Sequence, residues 1–420
     1  MLGTGLKRRA SVIEEESIIL LLVLLVGATL ILTILIKAGL EQVGMPAIVG
    51  YLLLGFLMRL VDVQEQLLSA QVLEVYGFFA ELGIISLLFR VGLESNLSGL
   101  LSQLPRASII LVGNLILSGI LGFVSAYFLL QLPLIPSLFI SIALIATSVG
   151  ISVSVWQEAK ALNSVNGELL LDIAEMDDIA AIVLMSLLFA VVPVLNGEVE
   201  ANFLPVLTQI FGPFLLKVVF FSTFCLVFFN YFERPLTRFF EKIEPAPDPM
   251  LMVAGTGFII AALAGLLGFS VAVGAFFAGL VFSRDPEAVK LDASFSALYE
   301  LFVPFFFINI GLQLESQALT AALGLGSILV IVAVLGKIIG TGGPAMLTVG
   351  WSSAVLLSIS MVPRAEIAMV IMQRGRYLGD WAVPPEVFAA MAMVSAVTCI
   401  FSPLLLRPLL QKWVLGSGYE

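Results

Sequence analysis

The sequence predicts an all-α polytopic membrane protein that crosses the bilayer about thirteen times, built as two inverted six-helix repeats with crossed, broken helices. The 420 residues are 60% hydrophobic and only 12% charged, with a mean hydropathy of +1.11, which is too apolar for a soluble domain. Apolar runs long enough to span the hydrocarbon recur along the whole chain. Two of these runs carry helix-breaking residues at corresponding places in the two halves.

Gly, Pro and charged loops divide the apolar runs into roughly thirteen predicted spans. The spans lie at residues 18–38, 45–61, 74–95, 107–131, 135–158, 167–194, 205–231, 250–267, 270–284, 297–314, 318–348, 351–374 and 385–410. Residues 1–17 form a predicted N-terminal tail. No small-residue cleavage site closes the apolar run after this tail, so we expect a retained helix rather than a signal peptide.

Six spans on either side of a linking helix form the two predicted repeats. The first repeat covers 18–194, the linking helix 205–231 and the second repeat 250–410. The polar stretch at 232–249 is the longest predicted loop and marks the midpoint. Because an odd number of spans separates the starts of the repeats, the second enters the membrane from the opposite side.

The distribution of Lys and Arg residues in the loops indicates the orientation. It favours an N-terminus outside and a C-terminus in the cytoplasm, with inside loops carrying Lys37, Arg106, Lys160, Arg234, Arg238, Lys242, Arg284, Lys290, Arg407 and Lys412. The formal net charge of −10 arises in good part from loop carboxylates. It points to no partner, and we expect no nucleic-acid binding.

The composition excludes several kinds of site. There is no histidine, so proton chemistry must use Asp, Glu, Lys or the termini. Cys225 and Cys399 both lie within apolar runs, which indicates packing residues rather than a disulfide or metal ligands. We expect a transporter rather than an enzyme, without a bound cofactor.

The sixth predicted span contains two adjacent carboxylates, Asp177 and Asp178, in the stretch "AEMDDIAAIVLM". A charge at the bilayer centre costs about 3 kcal/mol even on lenient scales, so such residues mark functional sites. Adjacent residues point about 100° apart on a helix and cannot share one partner, which disfavours a purely structural ion pair. Asp172 and Glu175 recur at three-residue spacing before Asp178. They line a hydrated approach to the pair or are solvated helix-end residues, and the sequence favours neither.

Ionisable residues in other predicted spans are weighed in the same way. Lys337 is near the middle of the eleventh span, where a lysine is either neutral or paired with a carboxylate, and the sixth span supplies one. Arg364 and Glu366 flank the helix break at Pro363, and a structural lock and an ion-binding role weigh about equally. Arg90 lies near a helix end, where snorkelling and an i, i+4 pair with Glu94 explain it.

The helix breaks point to the site. The stretch "IATSVGISVSV" (145–155) in the fifth span is rich in Thr, Ser and Gly, which allows a helix to unwind inside a protein-lined cavity. The corresponding span of the second repeat is broken at Pro363. Interrupted helices at matching places indicate a midplane binding site beside Asp177 and Asp178. The carboxylates then bind a small cation or a proton.

Seven stretches in order along the chain resemble the monovalent cation:proton antiporters of the second branch, the NapA-type Na+/H+ exchangers and their Kef-type K+/H+ relatives. The stretches are "MPAIVGYLLLGFLM", "LGIISLLFRVGLES", "IATSVGISVSVWQE", "EMDDIAAIV", "SVAVGAFFAGLVFS", "PFFFINIGLQLE" and "MVPRAEIAMVI". The Asp-Asp pair and the lack of a long nucleotide-binding tail are more similar to the NapA type.

The resemblance implies a role for each site residue. Asp178 would bind Na+, or K+ or Li+, with oxygen ligands from Thr147 and Ser148, and Asp177 would pair with Lys337 in the cation-free state. The family's Pro-Arg-Gly-Glu motif has Ala365 in place of its glycine, which reduces backbone freedom after the break. Two further departures carry no assigned role: Asn309 and Arg90 stand where the family is usually apolar.

The resemblance also implies a NapA-like or NhaA-like architecture. A core (107–194 and 318–410) would move against a panel (18–95 and 250–314) that forms a homodimer in the lipid bilayer. The implied activity is electrogenic Na+/H+ exchange by alternating access in an energy-coupling membrane such as the bacterial inner membrane. The alternatives are K+/H+ exchange and, less favoured, a sodium-coupled symporter or a cation channel of the same architecture.

Overall fold

The computed structural model describes residues 2–43, 45–65, 68–94, 97–162, 164–197, 203–242, 249–267, 269, 271–283, 288–314 and 317–412. Within these ranges every regular element is a helix, and no strand occurs. Seven described helices are long and apolar enough to span a bilayer, and five further apolar helices are 10–17 residues long. The chain is an integral membrane protein, and the predicted all-α class is confirmed.

The described residues contain sixteen α-helices. In chain order these are α1 (Leu2–Gln42), α2 (Ala47–Glu65), α3 (Ala70–Glu94), α4 (Leu97–Val124), α5 (Leu134–Ile145), α6 (Val149–Glu158), α7 (Val165–Leu195), α8 (Phe203–Val227), α9 (Glu233–Glu241), α10 (Pro249–Leu266), α11 (Val271–Phe282), α12 (Ala288–Leu312), α13 (Ala318–Val349), α14 (Trp351–Ser360), α15 (Glu366–Leu378) and α16 (Pro385–Leu410). π-helical turns extend α4 and α8, at Ser125–Leu129 and Phe228–Phe232.

Two segments predicted as non-helical differ from the structure. The predicted tail at 1–17 is helical from Leu2, since the whole of α1 contains no proline to stop it. The predicted loop at 232–249 begins with α9. Pro235 is tolerated there because it lies in the first turn of the helix, where its missing N–H has no intrahelical partner to lose.

Both predicted helix interruptions are present. α5 ends at Ile145, and Ala146 takes an extended conformation (φ −55°, ψ 145°) before α6 begins at Val149. In the second half, α14 ends at Ser360 and α15 begins at Glu366. Pro363, which cannot donate a backbone hydrogen bond, lies between them. Each break leaves backbone carbonyls at a helix C-terminus that need donors.

One compact unit comprises Met1–Gly83 and Glu300–Gln313. Glycines bring α2 and α12 into backbone contact within this unit. A Cβ atom on Gly55 would lie 2.0 Å from the carbonyl oxygen of Ile308, and one on Gly311 would lie 2.2 Å from that of Leu52. Such small residues allow close helix packing in a membrane.

The other compact unit comprises Ile84–Tyr299 and Leu314–Glu420. In it α4 packs closely on α13. A Cβ atom on Gly340 would lie 3.1 Å from the Cα of Asn114, and one on Gly113 would lie 2.5 Å from the Cγ of Pro344. The polar residues of α4 and α13 are therefore held at a fixed separation, beside both helix breaks.

Candidate ion-binding site

The two helix breaks are joined by hydrogen bonds between their backbones and side chains. The Ser148 N–H donates to the carbonyl oxygen of Pro363 at 2.9 Å, and Thr147 Oγ1 lies 3.5 Å from that of Met361. Ser152 Oγ, on α6, donates to the carbonyl oxygen of Ser360 at 2.6 Å. The interruption in the first half thus supplies donors to carbonyls freed by the interruption in the second half.

Trp156 adds a further bond at the crossing. Its indole Nε1–H donates to Ser360 Oγ at 2.9 Å, and the indole is fully buried. From α16, Ser402 Oγ donates to the carbonyl oxygen of Ile359 at 2.8 Å. Serine and tryptophan side chains therefore provide hydrogen-bond donors at the end of α14, so that its polar groups need not face lipid.

Asp177 is the centre of a buried polar network. Its side chain is 0% exposed, and its two oxygens accept from three different helices or breaks. Asn114 Nδ2 donates to Oδ1 at 2.7 Å, while Thr147 Oγ1 and Lys337 Nζ donate to Oδ2 at 2.5 and 2.9 Å. The predicted partner of Lys337 in the sixth span is thus Asp177 in this structure. A buried ion pair with additional donors on both oxygens offsets much of the cost of desolvation.

Lys337 has a second acceptor that the sequence did not indicate. Its Nζ donates to the carbonyl oxygen of Ile145 at 2.7 Å, at the C-terminus of α5. A helix C-terminus carries partial negative charge, so an ammonium group there is favourable. Lys337 therefore links the first helix break to the buried carboxylate.

Asp178 follows Asp177 on α7 and is 4% exposed. It lies close enough to Lys337 to interact with it electrostatically. Ser148, at the first break, is also buried, and its Oγ makes no hydrogen bond to any residue that the structure describes. This hydroxyl is an available oxygen ligand, and the carboxylate of Asp178 is a second group of the right chemistry.

Arg364 lies in the second break and is fully buried. Its Nη1 donates to the carbonyl oxygens of Met361, Val362 and Pro363 at 2.9, 3.0 and 3.3 Å, and its backbone N–H donates to Thr398 Oγ1 at 3.1 Å. These contacts are those expected of a structural lock. Glu366 is half-buried in the first turn of α15, where a carboxylate interacts favourably with the helix dipole.

The predicted access residues are only partly placed. Asp172 is half-buried on α7, two turns before Asp178. The side chain of Glu175 lies outside the described part of the structure. The side chain of Glu94, predicted to pair with Arg90, lies outside it as well. The guanidinium of Arg90 lies over the ring of Tyr299, 4.5 Å from its centroid. Asn309 is buried in the first compact unit.

The sequence interpretation missed Asn114. It lies in "LVGNLILSG", in the middle of an otherwise apolar span, and a buried amide in a membrane helix is itself a signal of a polar partner. Ser118, one turn later, donates from Oγ to Asn114 Oδ1 at 3.1 Å. The partner on α7 is 63 residues away in the chain, so no local pattern reveals the contact.

The assembled groups suit a small monovalent cation. Two carboxylates, hydroxyls and backbone carbonyls are hard oxygen ligands, and a single ammonium group balances one of the carboxylates. The same carboxylates accept protons. The geometry therefore allows a cation and a proton to compete for one buried site.

Comparisons with known proteins agree with this chemistry. A sequence model of the family described as "Sodium/hydrogen exchanger, transmembrane" matches residues 20–412. The Na+/H+ antiporter of Enterococcus hirae is 28% identical over 375 residues, which cover 89% of this chain and 94% of that protein. The Na+/H+-K+ antiporter GerN of Bacillus cereus is 25% identical over 368 residues, 87% of this chain and 90% of GerN.

A solved structure has the same fold. The sodium proton antiporter MjNhaP1 from Methanocaldococcus jannaschii superposes with a TM-score of 0.68 at 15% sequence identity, covering 94% of this chain and 99% of that one. At this identity the likeness concerns the fold alone.

Proposed function

Because this chain belongs to the sodium/hydrogen exchanger family, we propose that it is a secondary active antiporter that exchanges a monovalent cation, in the first place Na+, for protons. One observation carries the proposal. A carboxylate pair lies buried at the crossing of two broken helices, with Asp177 held by Lys337 and Thr147, and Asp178 beside them. Neither a soluble cofactor nor an organic solute is needed to explain these groups.

In the proposed mechanism Asp178 is the exchange site. A carboxylate buried in the membrane is costly while it stays charged, so Asp178 holds either a cation or a proton. Thr147 and Ser148 complete the cation's oxygen shell together with carbonyls of the break. Only the occupied states, in which a cation or a proton neutralises the charge of Asp178, move between the two sides of the membrane by alternating access.

Lys337 provides the second step of the mechanism. Cation binding breaks its pair with Asp177, and a desolvated ammonium group without a counter-charge is costly. Lys337 then releases a proton. More protons than cations move in each cycle, so the exchange is electrogenic. The core and panel, the inverted repeats, the homodimer and the N-out orientation remain predictions that this mechanism uses.

K+ is the second candidate cation. The relative GerN is a Na+/H+-K+ antiporter by name, and the oxygen ligands proposed for Na+ also suit K+. The oxygen ligands support a monovalent cation of either kind, and the experiment below distinguishes Na+ from K+.

The test is proton movement in proteoliposomes with an imposed pH gradient, on addition of NaCl, KCl, LiCl or choline chloride. We expect one alkali chloride to collapse the gradient with the wild type and none with Asp178→Asn. The matched control is Asp380→Asn, since Asp380 is an exposed carboxylate paired with Arg376, and this variant should behave as wild type. A wild type that collapses the gradient with no alkali cation would overturn antiport and favour a symporter or channel.

A further inference from the structure

Asn114 is the least expected member of the buried network. Its side chain is fully buried on α4, and it uses both ends of its amide. Nδ2 donates to Asp177 Oδ1 at 2.7 Å, and Oδ1 accepts from Ser118 Oγ at 3.1 Å. The serine hydroxyl therefore orients the amide so that its nitrogen faces the carboxylate.

Helix packing fixes the position from which Asn114 acts. A Cβ atom on Gly340 would lie 3.1 Å from the Cα of Asn114, and one on Gly336 would lie 3.2 Å from the Cα of Ser118. These two glycines of α13 lie on either side of Lys337 in the sequence. α4 and α13 thus form a tight pair that carries the donors for both oxygens of Asp177.

The two oxygens of Asp177 have different donors. Oδ2 is shared by Thr147 and Lys337, a hydroxyl and an ammonium, whereas Oδ1 is bound by the amide of Asn114. The amide is neutral and holds its protons over the whole physiological range, so its bond survives any change in the charge of Lys337. When the Lys337 ammonium no longer donates to Oδ2, the Asn114 amide still donates to Oδ1 of the same carboxylate.

We propose that Asn114 is a positioning residue that keeps the Asp177 carboxylate in place when Lys337 releases it. The inference rests on the proposed function and deepens it. With Asn114 in place the freed Oδ2 stays at the crossing, near the cation held by Asp178. Without it the carboxylate rotates away, and the site binds the cation less tightly.

The test separates cation affinity from maximal rate. We expect Asn114→Ala to raise the KM for the transported cation about tenfold, the effect of one charge-assisted hydrogen bond, with a maximal rate within about threefold of wild type. Ser118→Ala removes only the bond that orients the amide, and should raise the KM by about two- to threefold. The control is Ser186→Ala, since Ser186 Oγ donates only within its own helix, to the carbonyl oxygen of Ile182.

Three outcomes decide the inference. A raised KM in both α4 variants, in monodisperse protein with a wild-type melting temperature, supports it. An unchanged KM, or a lower maximal rate and melting temperature with the KM unchanged, overturns it and makes Asn114 a packing residue. If wild type itself moves no protons in response to an alkali cation, the proposed function fails, and this inference fails with it. If wild type is active and the KM is unmoved, only the inference fails.

Discussion

The two helix breaks face the same problem and solve it with different cations. At each break a helix C-terminus ends inside the membrane and leaves carbonyls without helical donors. At the first break, Lys337 reaches across from α13 to the carbonyl of Ile145. At the second, Arg364 lies within the break and binds the carbonyls of Met361 and Val362 with its own guanidinium.

The difference is in what else each cation does. Lys337 divides its ammonium between backbone and the Asp177 carboxylate, so the first break is coupled to the charge state of the site. Arg364 directs Nη1 at backbone carbonyls only, and a guanidinium keeps its charge throughout the physiological range. The first break is therefore bound by a group that can change its charge, and the second by a group that cannot.

The largest effect should come from Arg364→Met. It removes the Arg364 donor from three carbonyls at the second break. The carbonyls of Pro363 and Met361 keep the Ser148 N–H and Thr147 Oγ1. That of Val362 loses its described side-chain donor, at about 1–3 kcal/mol for a group left unsatisfied. We expect little monodisperse protein and a lower melting temperature by light-scattering or intrinsic fluorescence assays. Arg364→Lys keeps the charge but loses the planar guanidinium, and its melting temperature should lie between those of wild type and Arg364→Met. A stable Arg364→Met protein would mean that the second break is not locked by this side chain.

Lys337→Gln should leave the fold intact but change the charge moved per cycle. A glutamine amide can still donate within the network, whereas it has no proton to release. We expect exchange to persist and the transport current on a solid-supported membrane to fall. The control is Lys37→Gln, because Lys37 is 40% exposed and pairs with Glu300 rather than with a carboxylate of the site. A current equal to that of wild type would refute the role of Lys337 in coupling.

Asp177→Asn should separate pH coupling from cation binding. The substituted amide is neutral and no longer forms an ion pair with Lys337, while Asp178 is unchanged. We expect the rate to depend less on pH, with a smaller change in the KM for the cation. Measuring both quantities across a pH series tests this, and an equal loss in both would assign cation binding to the two aspartates jointly.

The smallest effect should come from Trp156→Phe. It removes the bond from Nε1 to Ser360 Oγ while keeping an aromatic ring in the core, at a cost of about 1 kcal/mol. We expect a small drop in melting temperature and nearly normal exchange. Trp381→Phe is the control, since Trp381 is 39% exposed. A large loss of exchange would show that the bond from Trp156 to Ser360 matters more to transport than its small contribution to stability indicates.

Much of the fold was predictable because a membrane-spanning helix requires a long run of apolar residues, which is visible in the sequence. The predicted span at 385–410 coincides with α16, which begins after Pro384 and continues through an apolar run. Both breaks were predictable as well, since proline and small polar residues are uncommon inside apolar spans. The helix α9 was missed because residues 232–249 are polar and were predicted to be a loop.

The site was predictable in its charged residues and not in its neutral ones. Asp177, Asp178 and Lys337 stand out because a charge in the hydrocarbon is costly. Asn114 does not, since a single amide is cheaper and its acceptor lies on another helix. The sequence also did not show which groups Arg364 binds, because an arginine is compatible both with a structural lock and with a role in ion binding. The roles of all these residues in transport remain predictions.

The buried charges of the site have a consequence for the membrane potential. Two cations, Lys337 and Arg364, and two carboxylates, Asp177 and Asp178, are each no more than 4% exposed, and with all four ionised their formal charges cancel. Moving one uncompensated elementary charge through the membrane costs or yields about 2.3 kcal/mol per 100 mV. In the proposed mechanism the empty site does not cross, although its formal charges cancel, because Asp178 then holds neither a cation nor a proton. A bound cation would add one positive charge to the site, and the membrane potential would act on that charge until Lys337 gave up its proton.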